Sequence, residues 1–300
     1  MNESDRELAG RLDSLYQSAK SMLRLRAARE SHRWLEKGRM RSALVKVFGF
    51  PMTLIHGDPL VLDRWLWLKK RLPRTSRSEM VIDVGCGSGA FTIGAARRGY
   101  RAVGLSFEER NQQVASERAL MCGAPSAKFE VLDLRALDER RDLMAKFDVA
   151  LCLEVIEHLI DDDKLMRDMA RCLKPGGRLL LTTPNYNYKA ITPNENGPFS
   201  TGEDGWHVRK GYTEDRLKEL CQQSGLVFDA CSFCSGFLSQ KITFILRVLS
   251  NYYPLLGWGA ILPLRILPPL LDSLVTKLID WPYFSICLEA HKPQAAAERD

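Results

Sequence analysis

Three hundred residues, 45% of them hydrophobic, suffice for one large α/β domain with additions and exclude more than two domains. The net charge of +6 is modest but uneven: from Lys20 to Lys46 nine Lys or Arg face only Glu30 and Glu36, a local +7 that accounts for the whole excess. Eight cysteines are scattered, and the single C-x-x-C pair, Cys231 and Cys234, lacks the second pair a structural zinc site needs, which leaves reduced thiols acting as small hydrophobes in a cytoplasmic protein.

Residues 1 to 30 are mostly charged helix formers without an apolar core, so no secretory signal is expected there. Residues 1 to 50 read as two helices, the first from Ser4 to Arg29. In the basic segment 20–48, Leu23, Leu25, Trp34, Leu35, Met40, Leu44, Val45 and Phe48 recur at roughly helical spacing. Such a helix suits an anionic membrane surface or nucleic acid, and equally a solvated helix packed on the main domain. Phe50-Pro51 and Gly57-Asp58-Pro59 break the pattern. A helix over 60–72 then turns Leu62, Trp65, Leu66 and Leu68 toward a core, and 73–78 is a polar linker.

Glu79 to Val84 reads as a short buried parallel strand. Gly85, Gly87 and Gly89 follow at every other position, and Phe91, Ile93 and Ala95 open a helix. Glycines serve where the backbone turns sharply and a ligand must approach without a Cβ in the way. Strand, glycine turn and helix N-terminus together make a nucleotide site. The same letters satisfy a dinucleotide fingerprint with Gly85, Gly87 and Ala90, which leaves two ligands open. Strands over 101–105, 128–132, 147–153, 178–182, 226–232 and 284–290 alternate with helices over 108–121, 161–172 and 213–223. That rhythm predicts a parallel sheet with helices on both faces. Thr213 and Arg216 fall at the N-cap and N3 of the last of these helices.

The run Asp83-x-Gly85-x-Gly87-x-Gly89 resembles motif I of the class I S-adenosylmethionine (SAM) methyltransferases, and Lys174-Pro175-Gly176-Gly177 before the fifth strand looks like the same family. Seventy-eight residues before the strand that leads into the glycine turn are unusual for a dinucleotide dehydrogenase. The resemblance implies an α/β fold, a seven-stranded, mostly parallel, doubly wound Rossmann-like sheet. Helical residues 1–78 would precede a SAM-binding core over 79–234, an apolar helical insertion over 235–282, and a last strand and tail over 283–300. By the same resemblance, Gly85, Cys86, Gly87 and Gly89 admit the methionine moiety of SAM, and Asp83 helps to hold it. Ser106 stands where most of the family has an acid for the ribose. Gly104-Leu105-Ser106-Phe107 is similar to the cyclopropane-fatty-acid synthases, in which a downstream Gln reaches the ribose or adenine. Asn111 occupies that position here, with Glu108 competing. Asp133 would accept from the adenine amine, with Leu134 beside it, and S-adenosylhomocysteine (SAH) would be the product.

The fourth strand runs into Glu154-Val155-Ile156-Glu157-His158. On a helical turn, positions i, i+3 and i+4 project to one side, so these two carboxylates and the imidazole can converge on a divalent cation such as Mg²⁺ or Mn²⁺. The E-x-x-E-H run resembles ubiquinone-biosynthesis O-methyltransferases and small-RNA 2′-O-methyltransferases. It implies a metal held by Glu154, Glu157, His158 and a later His, for which His207 is placed. Alternatively His158 or His207 is a neutral imidazole that takes the substrate proton. Asp161, Asp162 and Asp163 read as a helix first turn, where carboxylates offset the dipole.

Extra sequence follows the fifth and sixth strands, over 184–211 and 235–282. The second holds 17 uncharged residues between Arg247 and Arg265. Asn251, Pro254, Gly257, Gly259 and Pro263 interrupt it, which disfavours a spanning helix and predicts a pair of helices that form an apolar lid, lie on a bilayer, or complete the core. The expectation is O-methylation of a small or lipid-like acceptor, such as a quinone precursor, phenol, catechol or lipid-linked headgroup. The protein would be cytoplasmic, with peripheral contact at the inner face of the membrane through 20–48 and 235–282. The alternatives are a small-RNA 2′-O-methyltransferase and an NAD-type oxidoreductase. Nucleic acid is disfavoured because no aromatic-interleaved basic groove is evident.

Overall fold

The computed structural model describes residues 43–55, 58–76, 79–203 and 205–294. The expected helix from Ser4 to Arg29, most of the basic segment and the C-terminal tail lie outside these residues. Residues 43–48 are helical, followed by α1 (Phe50–Ile55) and α2 (Leu60–Arg71). The strands are β1 (Met80–Val84), β2 (Arg101–Ser106), β3 (Ala127–Val131), β4 (Phe147–Leu153), β5 (Leu173–Pro184), β6 (Val227–Cys234) and β7 (Ser285–His291). Between them lie α3 (Ala90–Ala96), α4 (Glu109–Met121), α5 (Asp162–Cys172) and α6 (Glu214–Gln223). The insertion before β7 carries α7 (Phe237–Tyr252), α8 (Pro254–Ile261) and α9 (Leu267–Leu278).

The seven strands form one sheet in the order β3-β2-β1-β4-β5-β7-β6. All pairs are parallel except the two that β7 makes with β5 and β6. The strand order switches side at β1, with β2 and β3 to one side and β4 and β5 to the other, and in such sheets the crevice at the carboxyl ends of the central strands takes the ligand. Because strand side chains alternate, one run feeds two cores. Ile82, Leu179 and Leu181 pack with Met166, Met169, Leu217 and Leu220 of α5 and α6. Val81, Leu151 and Leu180 pack on the opposite face with Trp65, Leu68 and Ile93 of α2 and α3.

Three local expectations change. Phe50-Pro51 does break the pattern, since the helix over 43–48 ends before it, but it also begins a new helix, because a first-turn proline gives up no helical hydrogen bond. Strand β5 starts at Leu173, so Lys174-Pro175-Gly176-Gly177 is an irregularity within its ladder: Phe147 pairs with Leu173, and Val149 already pairs with Arg178. The 235–282 segment contains three α-helices instead of two. Among the described residues no single helix is long and apolar enough to cross a membrane.

Candidate active site

A cleft of about 620 Å³ opens at the carboxyl ends of β1 and β2. Gly85, Gly87, Ser106, Phe107, Asn111, Asp133 and Leu134 all line it, together with Glu108, Arg135, Val155 and Glu203. The N–H groups of Gly85 and Cys86 both donate to the Leu105 carbonyl (2.9 and 2.8 Å), which straps the turn to β2. Gly85 has φ +82°, and a Cβ there would collide with the Val155 side chain. Gly87 has φ +50°, yet its missing Cβ meets nothing within 4 Å, because that direction is open cleft.

Other expected cofactor residues stand behind the wall. Asp83 is buried beneath the turn and accepts from the Thr92 hydroxyl at 2.6 Å; burial raises its carboxyl to about 6. It therefore pins strand to helix and does not line the cleft. The Cys86 thiol is buried against Gln112, and burial pushes it far up. Gly89 precedes α3 in a left-handed conformation, with Ala115 and Phe129 packed where a Cβ would sit. Asn111 donates to Glu108 at 2.6 Å, so the two candidates for a ribose contact form one unit on the wall. The neighbouring Gln112 is buried and bonds the Gly104 carbonyl at 3.3 Å, which makes it structural. The Asp133 carboxylate caps the following turn and pairs with Arg135, whose hydrogen bonds hold its pKa down.

A second cleft of about 740 Å³ adjoins the first, and its wall includes Arg64, Glu154, Glu157, Phe199, His207, Arg247 and Phe284. His158 lines both clefts. The expected convergence on one helical turn does not occur as drawn, because Glu154 has φ +57° and precedes the 3₁₀ turn Ile156–His158. Its carboxylate is engaged elsewhere: Arg64 at 3.1 Å, the Ser285 hydroxyl at 2.9 Å and the Thr182 hydroxyl at 3.0 Å. Ligand atoms of Glu157, His158 and His207 do converge, within 4.8 Å of one another, and Glu154 stands outside that group.

His207 arrives from fifty residues away because the Val208 N–H donates to the Glu157 carbonyl at 3.0 Å, while the Ser200 N–H donates to the His207 carbonyl at 2.9 Å. The two imidazoles meet edge to face, centroids 4.7 Å apart. Glu157 is fully buried; one oxygen accepts from Thr183 at 3.0 Å and the other has no hydrogen-bond partner. Burial, reinforced by Glu154, raises this carboxyl to about 8. Burial lowers His207 to about 4, with His158 adding to the effect, and burial lowers His158 as well. Both rings are therefore neutral near pH 7. A buried carboxylate oxygen without a donor beside two neutral imidazoles is a donor set that fits a divalent cation.

The acidic triplet after this site does more than offset a dipole. Asp161 caps α5 by accepting from the Lys164 N–H at 2.8 Å. Asp162 is buried and joins Arg209, the Tyr212 hydroxyl (2.9 Å) and Arg216 (3.1 Å), which anchors the far end of the loop that brings His207 in. Arg64, Arg247 and Glu203 carry no motif and had no signal in the sequence beyond a charge on or near an apolar segment.

Residues 62–230 match the family described as a methyltransferase domain. The chain belongs to the class I methyltransferases. The ubiquinone biosynthesis O-methyltransferase of Paracidovorax citrulli is 34% identical to this methyltransferase over 125 residues, 42% of this chain and 51% of that protein. That of Leptothrix cholodnii is also 34% identical, over 134 residues, 45% of this chain and 54% of its own. The chain thus spans about half the length of the curated relatives it matches. Among solved structures, the [4+2]-cyclase SpnF superposes with a TM-score of 0.54 at 20% identity, covering 78% of this chain and 83% of SpnF. Phosphoethanolamine N-methyltransferase 2 of Haemonchus contortus, solved with SAM, gives 0.51 at 17% identity, covering 76% and 52%. At such identities these structures establish the fold alone, and a cyclase among them underlines that fold does not settle reaction.

Proposed function

We propose that this methyltransferase moves the SAM methyl group to a hydroxyl of a small lipophilic acceptor such as a phenol, catechol or quinone precursor. The observation that carries the reading is His158, which lines both the cleft lined by the glycine turn and the neighbouring cleft with its mixed apolar and charged wall. SAM would lie in the first, over Gly85 and Gly87, with Asn111, Glu108 and Ser106 toward the ribose and Asp133 and Leu134 toward the adenine. The acceptor would lie in the second, between Phe199 and Phe284. The curated relatives, named O-methyltransferases, support a hydroxyl acceptor.

The sulfonium already activates its methyl, so the protein must align the nucleophile and see it deprotonated. Alignment of that kind lowers barriers by roughly 7–11 kcal/mol. Glu157, His158 and His207 would hold a Mg²⁺ or Mn²⁺ ion, which lowers the pKa of a hydroxyl it touches. Glu157 then needs no proton to be tolerated in its buried position. In a second reading, favoured by the lowered pKa of His158, that ring itself accepts the hydroxyl proton.

Calorimetric titration with Mn²⁺, alongside SAM turnover on a catechol followed by mass spectrometry, tests this. Wild type is expected to bind Mn²⁺ and to lose activity in EDTA, and Glu157→Gln to bind the ion at least about tenfold more weakly, the scale expected when one charged ligand becomes neutral. Turnover indifferent to EDTA transfers the role to His158. A chain that fails to bind SAH overturns the reading altogether.

A further inference from the structure

The insertion between β6 and β7 is built inside out. On α9 the inward residues include Asp272 and Thr276, both buried, while Leu270, Leu271, Leu274 and Leu278 face outward, Leu270 and Leu278 being 74% and 75% exposed. Helix α7 repeats the inversion: Ser239, Gln240 and Thr243 are buried with Ile242, and Phe244, Ile245, Val248 and Tyr252 are exposed. The inner polarity has a clear use. Asp272 accepts from the N–H groups of Gly236 and Leu238, each at 2.7 Å, and Thr276 accepts from Phe237 N–H at 2.9 Å, so α9 satisfies the free donors at the start of α7. The outer leucines have no such use within the described residues. Helices of soluble domains bury their apolar stripe and wet their polar one, and reversal of both together indicates an apolar exterior.

Charge selects what that exterior is. Residues 237–278 contain Lys241, Arg247, Arg265 and Lys277 but a single carboxylate, Asp272, which is buried. Arg247 is spent on Asp58 and Glu195, and Arg265 is buried, leaving Lys241 and Lys277 at the surface. A second copy docked by a two-fold axis would set these cations against themselves with no exposed acid on the helices to meet them. The chain's own segment 20–42 is likewise strongly basic. An anionic lipid surface complements the patch on both counts, accepting leucines into its acyl boundary and lysines at its phosphates. Tyr252 and Tyr253, exposed at the end of α7, have the amphipathic character that favours the headgroup level.

We propose that α7 and α9 form an in-plane docking platform for an anionic bilayer surface, with the Leu270–Leu278 face inserted. The platform does not span: Gly259–Arg265 and Leu267–Leu278 together reach the length and apolarity of a span, but they are bent by 71° and Asp272 is committed to α7. Arg247, on the second cleft, directly precedes exposed Val248 on the same helix, so the platform and the cleft share one element. This inference goes beyond methyl transfer and does not rest on it, because lipid binding is read without turnover.

The test is flotation of the full chain with phosphatidylcholine vesicles containing phosphatidylglycerol, at low salt and at about 1 M salt, where charge attraction from the basic segment is screened within about 3 Å. Wild type is expected to float under both conditions. The triple variant Leu270→Ser/Leu274→Ser/Leu278→Ser should keep its thermal unfolding midpoint and SAH affinity, since those side chains touch solvent, and should lose at least about tenfold in high-salt partitioning, as loss of buried leucine surface requires. Wild type that stays with the lipid-free fraction, or floats only at low salt, overturns the platform. So does a triple variant that floats like wild type, or a wild-type dimer that the triple variant dissolves without any vesicle binding.

Discussion

Replacing Arg64 by Met asks whether Glu154 is held as one half of a buried ion pair. The two side chains are 10% and 13% exposed and 3.1 Å apart. At an effective dielectric of about 20 the gross attraction is about 5 kcal/mol. Desolvation of both groups offsets much of that, so the intact pair contributes little net stability; breaking it is another matter. Arg64→Met keeps the apolar bulk beneath the second cleft but strands a carboxylate near Glu157, a change that costs about 3–5 kcal/mol in comparable pairs. The hydroxyls of Ser285 and Thr182 still serve Glu154, which places the expectation at the lower end, about 3 kcal/mol. Adding Glu154→Gln removes the stranded charge, so the double variant should regain about 2 kcal/mol. Urea unfolding of the four chains, followed by circular dichroism in one buffer, reads this cycle. A loss below about 1 kcal/mol for Arg64→Met, or a double variant no more stable than the single, refutes the ion-pair account.

Gly87→Asp should leave the unfolding midpoint within about 2 °C of wild type, because Asp tolerates positive φ and the Cβ meets open space, yet lower SAH affinity by more than about tenfold as its carboxylate fills the cleft. Unchanged affinity by calorimetry would displace the cofactor from this cleft. Asp63 is half-buried with one carboxylate oxygen shielded from solvent, and desolvation with Asp272 nearby raises its carboxyl from 3.8 to about 7. A raised acid is better tolerated protonated, so its stabilising contribution is complete below 3.8 and is lost as pH rises through about 7. Asp63→Asn should therefore match wild type near pH 4 and exceed it by up to about 4 kcal/mol near pH 8. Equal stability differences at both pH values would contradict a proton held there.

How far the sequence reaches is visible residue by residue. The strand, glycine turn and helix from Met80 to Ala96 depend on contacts within a few positions, namely an apolar run and glycines at positive φ, and so does the alternation that produced seven strands. The family resemblance likewise rests on short contiguous motifs. Asp83 and Glu154, by contrast, are acids at the right positions whose partners, Thr92 in one case and Arg64 with Ser285 in the other, are chosen by packing.

The amino-acid sequence by itself determined the layered α/β architecture, the glycine turn that lines the first cleft and the adjacency of Glu157 and His158, because periodicity and local backbone freedom are properties of neighbouring residues. Only the tertiary structure decided how His207, already placed by the family resemblance, is held beside them, that Glu154 stands apart, and that the insertion turns its leucines outward. Those outcomes follow from hydrogen bonds between segments tens to more than a hundred residues apart, such as Val208 to Glu157 and Ser285 to Glu154, which no local pattern encodes.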